Sequence, residues 1–183
     1  MPENLDAILD KVERSDLSSV RNVVGEIMQV ISSPASSAAH LKRIVEIDPP
    51  LCARILRIAN SALYGFERKI STIQEAIIAI GFETVKELAL SQKVSEIFES
   101  TGKTYGYSRG ALWKHSIAVA ITGKLVARRE FRERGEVVYA AGLLHDVGLI
   151  VEDEFLAGPF RRILRDAESR GCNIADVERD TIG

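Results

Sequence analysis

Cysteine, histidine and tryptophan are scarce in this 183-residue chain, and each scarcity narrows the chemistry open to it. Two cysteines, Cys52 and Cys172, are too few for a disulfide framework and form no CxxC pair. Both sit in helical patterns, where a reduced thiol behaves as a small buried hydrophobe. No apolar run approaches the ~20 residues that a membrane span needs. The opening MPENLDAILDKVERSD is acidic and amphipathic, with neither a basic n-region nor an apolar h-region, so no signal peptide is expected and a cytoplasmic protein is. An excess of one charge is also missing: the net charge of -2 draws the chain toward neither nucleic acid nor an anionic membrane. Alternating apolar and polar runs of strand length are absent too.

What is present is helical periodicity on a chain long enough to bury a core, 46% hydrophobic and 27% charged. Val20, Val23, Val24, Ile27, Met28 and Ile31 form a one-faced stripe. Ser33-Pro34 ends it, because the residue before proline is pushed out of the helical region. Ser36 or Ser37 then caps a helix carrying Leu41, Ile44 and Val45. Asp48-Pro49 reads as a helix start, since Asp accepts orphan amides and Pro tolerates the first helical position. Leu51, Ile55, Ile58 and Ala59 follow, up to a turn around Tyr64-Gly65. Thr72 and Glu75 have capping-box spacing and open a helix through Ile73, Ile77 and Ile80. Gly81 breaks it, and Val85, Leu88, Ser91 and Val94 continue on a new axis toward Phe98.

The polar, glycine-rich stretch Thr101 to Gly110 is the best internal boundary. It divides one all-α domain, residues 1–183, into sub-lobes of about 1–100 and 105–183. The second lobe has a helix from about Ala111 to Glu130, a charged turn RREFRERGE, and a helix from about Glu136 through His145. An amphipathic helix through Phe160, Ile163, Leu164 and Ala167 ends at Gly171, and a last short one starts near Asn173. The mixture of Arg128, Arg129, Arg132 and Arg134 with Glu130, Glu133 and Glu136 reads as a solvated turn rather than a phosphate-binding patch.

Three histidines exist. His40, beside Lys42 and Arg43, reads as a surface residue. His115 lies near the start of one long helix and His145 near the end of the next. Consecutive helices joined by a short turn pack antiparallel, which places these two rings side by side. Asp146 adds a carboxylate, and two imidazoles with one carboxylate suit iron, manganese or zinc. Ala141, Gly142 and Gly148 are small enough to let helices approach closely. The competing reading is a packed core, since a helical histidine more often has its ring nitrogens satisfied there than binds metal. In the first lobe, Asn60, Ser61 and Tyr64 form the turn ANSALYG. It reads either as a helix C-cap, Asn tolerating left-handed backbone while its side chain ties off backbone groups, or as a docking surface for a partner.

The segments LWKHSIAVA and GLLHDVG resemble the H…HD pattern of the HD superfamily, whose enzymes are metal-dependent phosphohydrolases. IVEIDPPLCARILRIANSALYG and ISTIQEAIIAIGFETVKELAL narrow the resemblance to the HDOD domain, an HD-related output domain of bacterial signalling proteins, over about Val20 to Gly183. The resemblance implies a stack of short helices followed by an HD-like helical lobe. It also implies a regulatory module whose HD motif has decayed. Here His115, His145 and Asp146 are retained, but the aspartate on a later helix that completes the site in the enzymes has no counterpart. Asp153 is too near in sequence, and Asp166 and Asp176 fall on solvated faces. The stretch VERDTIG is followed in the family by a histidine and two more helices, so the second lobe reads as truncated at its C-terminus.

The expectation is therefore a non-catalytic signal-transduction module that binds a signalling protein or a small-molecule ligand and self-associates as a homodimer. It is not expected to be an enzyme, nor to bind nucleic acid or membrane. The alternative is a metal-dependent phosphohydrolase acting on a nucleotide or other phosphoester, with iron, manganese or zinc at His115, His145 and Asp146.

Overall fold

The computed structural model describes residues 10–33, 37–99, 103–104 and 107–181. Pro34, Ser36, the N-terminal residues 1–9 and residues 101–102 and 105–106 of the Thr101–Gly110 stretch fall outside them, as does the side chain of Val20. In the first half, helices α1 (Asp16–Ser32), α2 (Ala38–Ile47), α3 (Pro49–Ala59), α4 (Ile73–Ile80) and α5 (Phe82–Ile97) follow one another. A two-residue antiparallel ladder then joins β1 (Lys103–Thr104) to β2 (Tyr107–Ser108). It is too short to change the all-α class. In the second half come α6 (Arg109–Val126), α7 (Gly135–Leu144), α8 (Val147–Phe155), α9 (Ala157–Arg170) and α10 (Ile174–Thr181).

The predicted helix starts are capped as their chemistry requires. Ser37 Oγ accepts from the His40 amide at 3.3 Å, and Asp48 Oδ1 from the Leu51 amide at 3.0 Å with Pro49 at the first helical position. Thr72 Oγ1 accepts from the Glu75 amide at 3.1 Å while the Glu75 carboxylate accepts from the Thr72 amide at 3.3 Å, completing the capping box. Gly81 separates α4 from α5 at φ 92°, a backbone that residues with a Cβ resist. His40 is exposed, as read.

Helix α5 is the axis of the molecule. It packs against α1, α2, α3, α4 and α7, which is why it buries Val85, Ala89, Leu90, Val94 and Ile97 on more than one face. One apolar core runs from Val24 through α5 to Leu143 and Ile150, and Phe98 meets Trp113 of α6 at 5.2 Å. Each large aliphatic side chain buried this way contributes about 1.5–3 kcal/mol. Two lysines of α5 enter this interior with partners. Lys93 Nζ donates to Asp48 Oδ2 and Glu96 Oε2, both at 2.7 Å, and Lys86 Nζ lies 2.9 Å from Glu83 over the Phe82 ring. Asp48 thus caps α3 with one oxygen and ties α3 to α5 with the other. Burial pushes its carboxyl up, but the bonds from Lys93 and the Leu51 amide outweigh that and hold it below its ordinary value.

Four local readings need correction. Cys172 is exposed and lies between α9 and α10, outside any helix, so it is not a buried hydrophobe. Asn60 ends α3 at φ -90° and ψ 6°, outside the left-handed region, while its side chain ties off backbone groups as read. The long helix from Ala111 starts two residues earlier and leaves the α pattern at Ala127–Phe131, a π-helical turn closed by Arg132 at φ 55°. In the charged turn, Glu136 is buried and bonded to Arg128, and Arg134 donates to the Ile31 carbonyl at 3.1 Å, so part of that turn fastens α7 to α1 and is not merely solvated.

Candidate metal centre

Helices α6 and α7 make the most extensive packing in the molecule, and small residues at their crossing explain how. A Cβ added at Gly142 would lie 2.6 Å from Ala120 Cα, and one at Gly123 would lie 3.0 Å from Val138. Ser116 and Ala120 are fully buried on the same side of α6. The close approach belongs to Gly142. Gly148 has nothing within 4 Å of its Cβ position, and Ala141 is exposed, so these two do not share that role.

This antiparallel contact sets His115, near the start of α6, beside His145, at the end of α7. Their ring centroids are 5.3 Å apart with planes at 56°. Asp146 completes the group: its Oδ2 lies 3.1 Å from His145 Nε2 and 3.7 Å from His115 Nε2. One donor atom from each of the three lies within 4.8 Å of the others. His145 and Asp146 are not successive residues of one helix. His145 is the C-cap of α7 and Asp146 the N-cap of α8, at φ -108° and ψ 12°. Adjacent side chains on a continuous helix point about 100° apart. The break turns them onto the same spot.

The donor set fits a divalent first-row ion. His145 Nδ1 lies 2.9 Å from the Gly142 carbonyl, which holds that nitrogen as the N–H and leaves Nε2 facing Asp146 as a lone-pair donor. His115 is largely exposed and Asp146 half-buried, so the group opens to solvent. An ion held by His115, His145 and Asp146 would supply Lewis acidity to an oxygen ligand from outside.

The later carboxylates are engaged elsewhere. Arg109, itself buried, donates from Nε to Asp153 Oδ2 at 2.7 Å and from its two terminal nitrogens to Glu154 at 3.3 Å each. It also reaches the Ile97 carbonyl at 3.4 Å, so one guanidinium joins the end of α5, the start of α6 and α8. Asp176 and Asp180 of α10 are exposed, Asp166 of α9 is half-buried, and none belongs to the His115 group. Sequence periodicity does not reveal Arg109 as an anchor, because its partners lie 44 and 45 residues away.

The turn Asn60–Tyr64 is elsewhere in the molecule. Asn60 Nδ2 donates to the carbonyls of Leu56 and Ile70, and Asn60 Oδ1 accepts from the Ile70 amide, all at 2.8 Å. The side chain therefore pins the return loop to the end of α3. Tyr64 stacks on Phe66, with centroids 6.2 Å apart. Leu63 is 83% exposed and Ile78 74% exposed. Phe66, Ile70, Ile78 and Ala79 line a cleft of about 270 Å³ with Arg68 and Lys69 at its edge. Leu63, Phe66 and Ile78 were not legible as surface residues, since each fits an apolar helical or turn pattern.

Comparison with known proteins matches this architecture. The family model of the HDOD domain matches residues 17–183. Among solved structures, an HDOD domain protein of unknown function from Geobacter sulfurreducens is 30% identical, with 87% of this chain and 53% of that chain covered and a TM-score of 0.74. A provisionally assigned signal transduction protein from Marinobacter aquaeolei VT8 is 23% identical over 87% of this chain and 36% of its own, with a TM-score of 0.70. A provisionally assigned phosphohydrolase from Shewanella amazonensis SB2B is 24% identical over 90% and 59%, with a TM-score of 0.66. An uncharacterised protein of Treponema pallidum (strain Nichols) is 22% identical over 147 residues, 79% of this chain and 27% of that protein. The chain thus spans about half of the first solved relative and about a quarter of the curated one. No helix among the described residues is long and apolar enough to cross a membrane.

Proposed function

Because the chain belongs to the HDOD domain family, we propose that it is a signal-transduction module that docks a protein partner and keeps its HD residues as a metal-holding joint, not as a hydrolase. The observation that carries this reading is the engagement of Asp153 by Arg109: the nearest later aspartate is spent on architecture, and the donor group among the described residues stops at three. Phosphoester hydrolysis wants further charge aimed at the reacting phosphate. Lys114 is the only cationic neighbour of His115 in sequence, and it is exposed.

The intact trio of His115, His145 and Asp146 favours the alternative, a metal-dependent phosphohydrolase, and one assay separates the two. The purified chain loaded in turn with iron(II), manganese and zinc should bind metal yet leave p-nitrophenyl phosphate, its diester and nucleoside phosphates intact. Turnover that disappears in His145→Ala would establish the hydrolase instead.

The partner face fits the turn around Asn60, Ser61 and Tyr64. Leu63, Phe66 and Ile78 expose apolar surface there, and Arg68 and Lys69 border it while Glu75 is committed to its capping box. Glu67 and Glu75 stand beside Arg68 and Lys69 in the same lining, so the surface is charge-balanced and an apolar segment is what it complements. Within the turn, Asn60 serves as scaffold and Leu63 as surface, and two substitutions should show it. Asn60→Ala leaves three backbone hydrogen-bond contacts unmade and is expected to lower unfolding free energy by about 1–3 kcal/mol in urea titration. Leu63→Asp is expected to leave the urea midpoint within about 0.5 kcal/mol of the parent while abolishing signalling output. Unchanged output in Leu63→Asp would remove this face from the proposal.

A further inference from the structure

We infer that the far end of α6 and the turn after it are a self-association surface, on which two copies of this chain pair about a two-fold axis. Of nine large apolar side chains exposed among the described residues, five fall between Ile121 and Val137, so this apolar surface is concentrated and not scattered. Ile121 and Leu125 stand one turn apart on the outer face of α6, with Val126 next to Leu125. Phe131 follows on the π-helical turn, and Val137 lies in the first turn of α7. Leu125 is 60% exposed and Phe131 70% exposed. This face is at the opposite end of α6 from His115 and in the other half of the chain from Leu63. It is therefore neither the metal group nor the partner face proposed above.

The turn that presents Phe131 is braced. The Glu133 amide donates back to the Ala127 carbonyl at 3.0 Å, Arg128 pairs with Glu136, and Arg134 donates to the Ile31 carbonyl. Gly135 is seated so closely that a Cβ there would lie 2.8 Å from Arg128 and 2.9 Å from Lys124. Arg132 holds a left-handed backbone, uncommon for a residue other than glycine. A ring carried on such a turn has little freedom left to lose when it is covered. Charge and area then select the occupant. With Arg128 and Arg134 committed, the exposed charges are Arg129 and Glu130 just before Phe131 and Arg132 and Glu133 just after it. Each side of the ring carries one charge of each sign, so a uniformly acidic or basic partner finds no match. A two-fold axis beside Phe131 sets the arginines of one copy against the glutamates of the other, the self-complementarity that an isologous contact requires. The same axis lays Phe131 of each copy on Leu125 and Val126 of the other. The five apolar side chains expose roughly 500 Å², near the top of what one patch on a monomer shows. With the four charged side chains added, the face approaches the ~800 Å² that each partner of a specific dimer covers.

The test is sedimentation velocity of the parent chain from about 1 μM to about 200 μM, a span that brackets micromolar self-association. The parent is expected to pass from monomer to dimer mass across it. Phe131→Asp and Leu125→Asp should weaken the association about thirtyfold or more, as loss of a central anchor does, and should melt like the parent because both side chains are exposed. A charge exchange leaves the apolar residues untouched. Arg129→Glu with Arg132→Glu makes the rim acidic, and Glu130→Arg with Glu133→Arg makes it basic. Each double variant should be monomeric alone, and the two mixed in equal amounts should form a heterodimer. A parent that stays monomeric over the whole span overturns the proposal and assigns the face to a different protein. Dimerisation of Phe131→Asp at parental strength, or a mixture of the two rims that stays monomeric, overturns it as well.

Discussion

Replacing His145 by alanine is expected to weaken divalent metal binding by about two orders of magnitude or more while leaving the apo protein folded. Loss of an outer partner alone costs a metal site about 10–100-fold, and here an inner donor is removed from a set of three. The side chain is partly exposed, and its one hydrogen bond is to the Gly142 carbonyl at the very end of α7. Its deletion therefore opens no buried cavity, and the apo melting temperature should move little. Calorimetric titration with zinc and manganese, beside metal analysis of protein purified without chelator, measures the first effect; circular dichroism melts measure the second. Undiminished affinity in the variant would mean that the ion sits elsewhere. An apo variant that fails to fold would mean that the ring is a core element, the competing reading of a helical histidine.

Gly142→Ala makes the opposite division. It keeps all three donors and disturbs what brings them together. The new Cβ would stand 2.6 Å from Ala120 Cα and 2.8 Å from its backbone nitrogen, and backbone cannot step aside as a flexible side chain would. Helices α6 and α7 must part, and overpacking of this kind costs about 1–3 kcal/mol, with the upper end expected for a backbone clash. For a chain of this size the melting temperature should fall by about 5–10 °C. Because His115 rides on α6 and His145 ends α7, metal affinity should fall along with it, with every ligand still present. A variant that melts and binds like the parent would show that the crossing has slack, and the explanation of the site from helix approach would go with it. Gly148→Ala, with nothing near its Cβ position, is the matched control.

The two substitutions also mark how far the sequence could be read. Caps were legible because they are local: Ser37, Asp48 and the Thr72–Glu75 box each act within three residues. The pairing of His115 with His145 was legible because antiparallel neighbours fix end against end. The end of α7 at His145 was legible as well, but the immediate restart of α8 was not: the junction carries no proline, and Asp146, although of a capping residue type, makes no side-chain cap bond there. Long-range polar contacts were equally hidden. Arg109 with Asp153, Lys93 with Asp48, and Asn60 with Ile70 depend on which faces the fold brings together, and side-chain type alone does not carry that. The left-handed Asn60 was expected from residue preference; its backbone is not left-handed, and its side chain instead exchanges hydrogen bonds with the Ile70 backbone.

The junction of α7 with α8 also bears on which sequence changes the fold can absorb. His145 and Asp146 are cap residues of two different helices with no residue between them. An inserted residue would swing α8 by about 100° and carry Asp146 away from both rings. Asp153 and Glu154 would rotate with it, away from Arg109. For the fold, spacing therefore matters more at this joint than the identity of a single side chain. The residues of this joint can be exchanged one at a time, but its length cannot drift, whereas the exposed stretch Glu67 to Lys69 can change length without moving a donor atom.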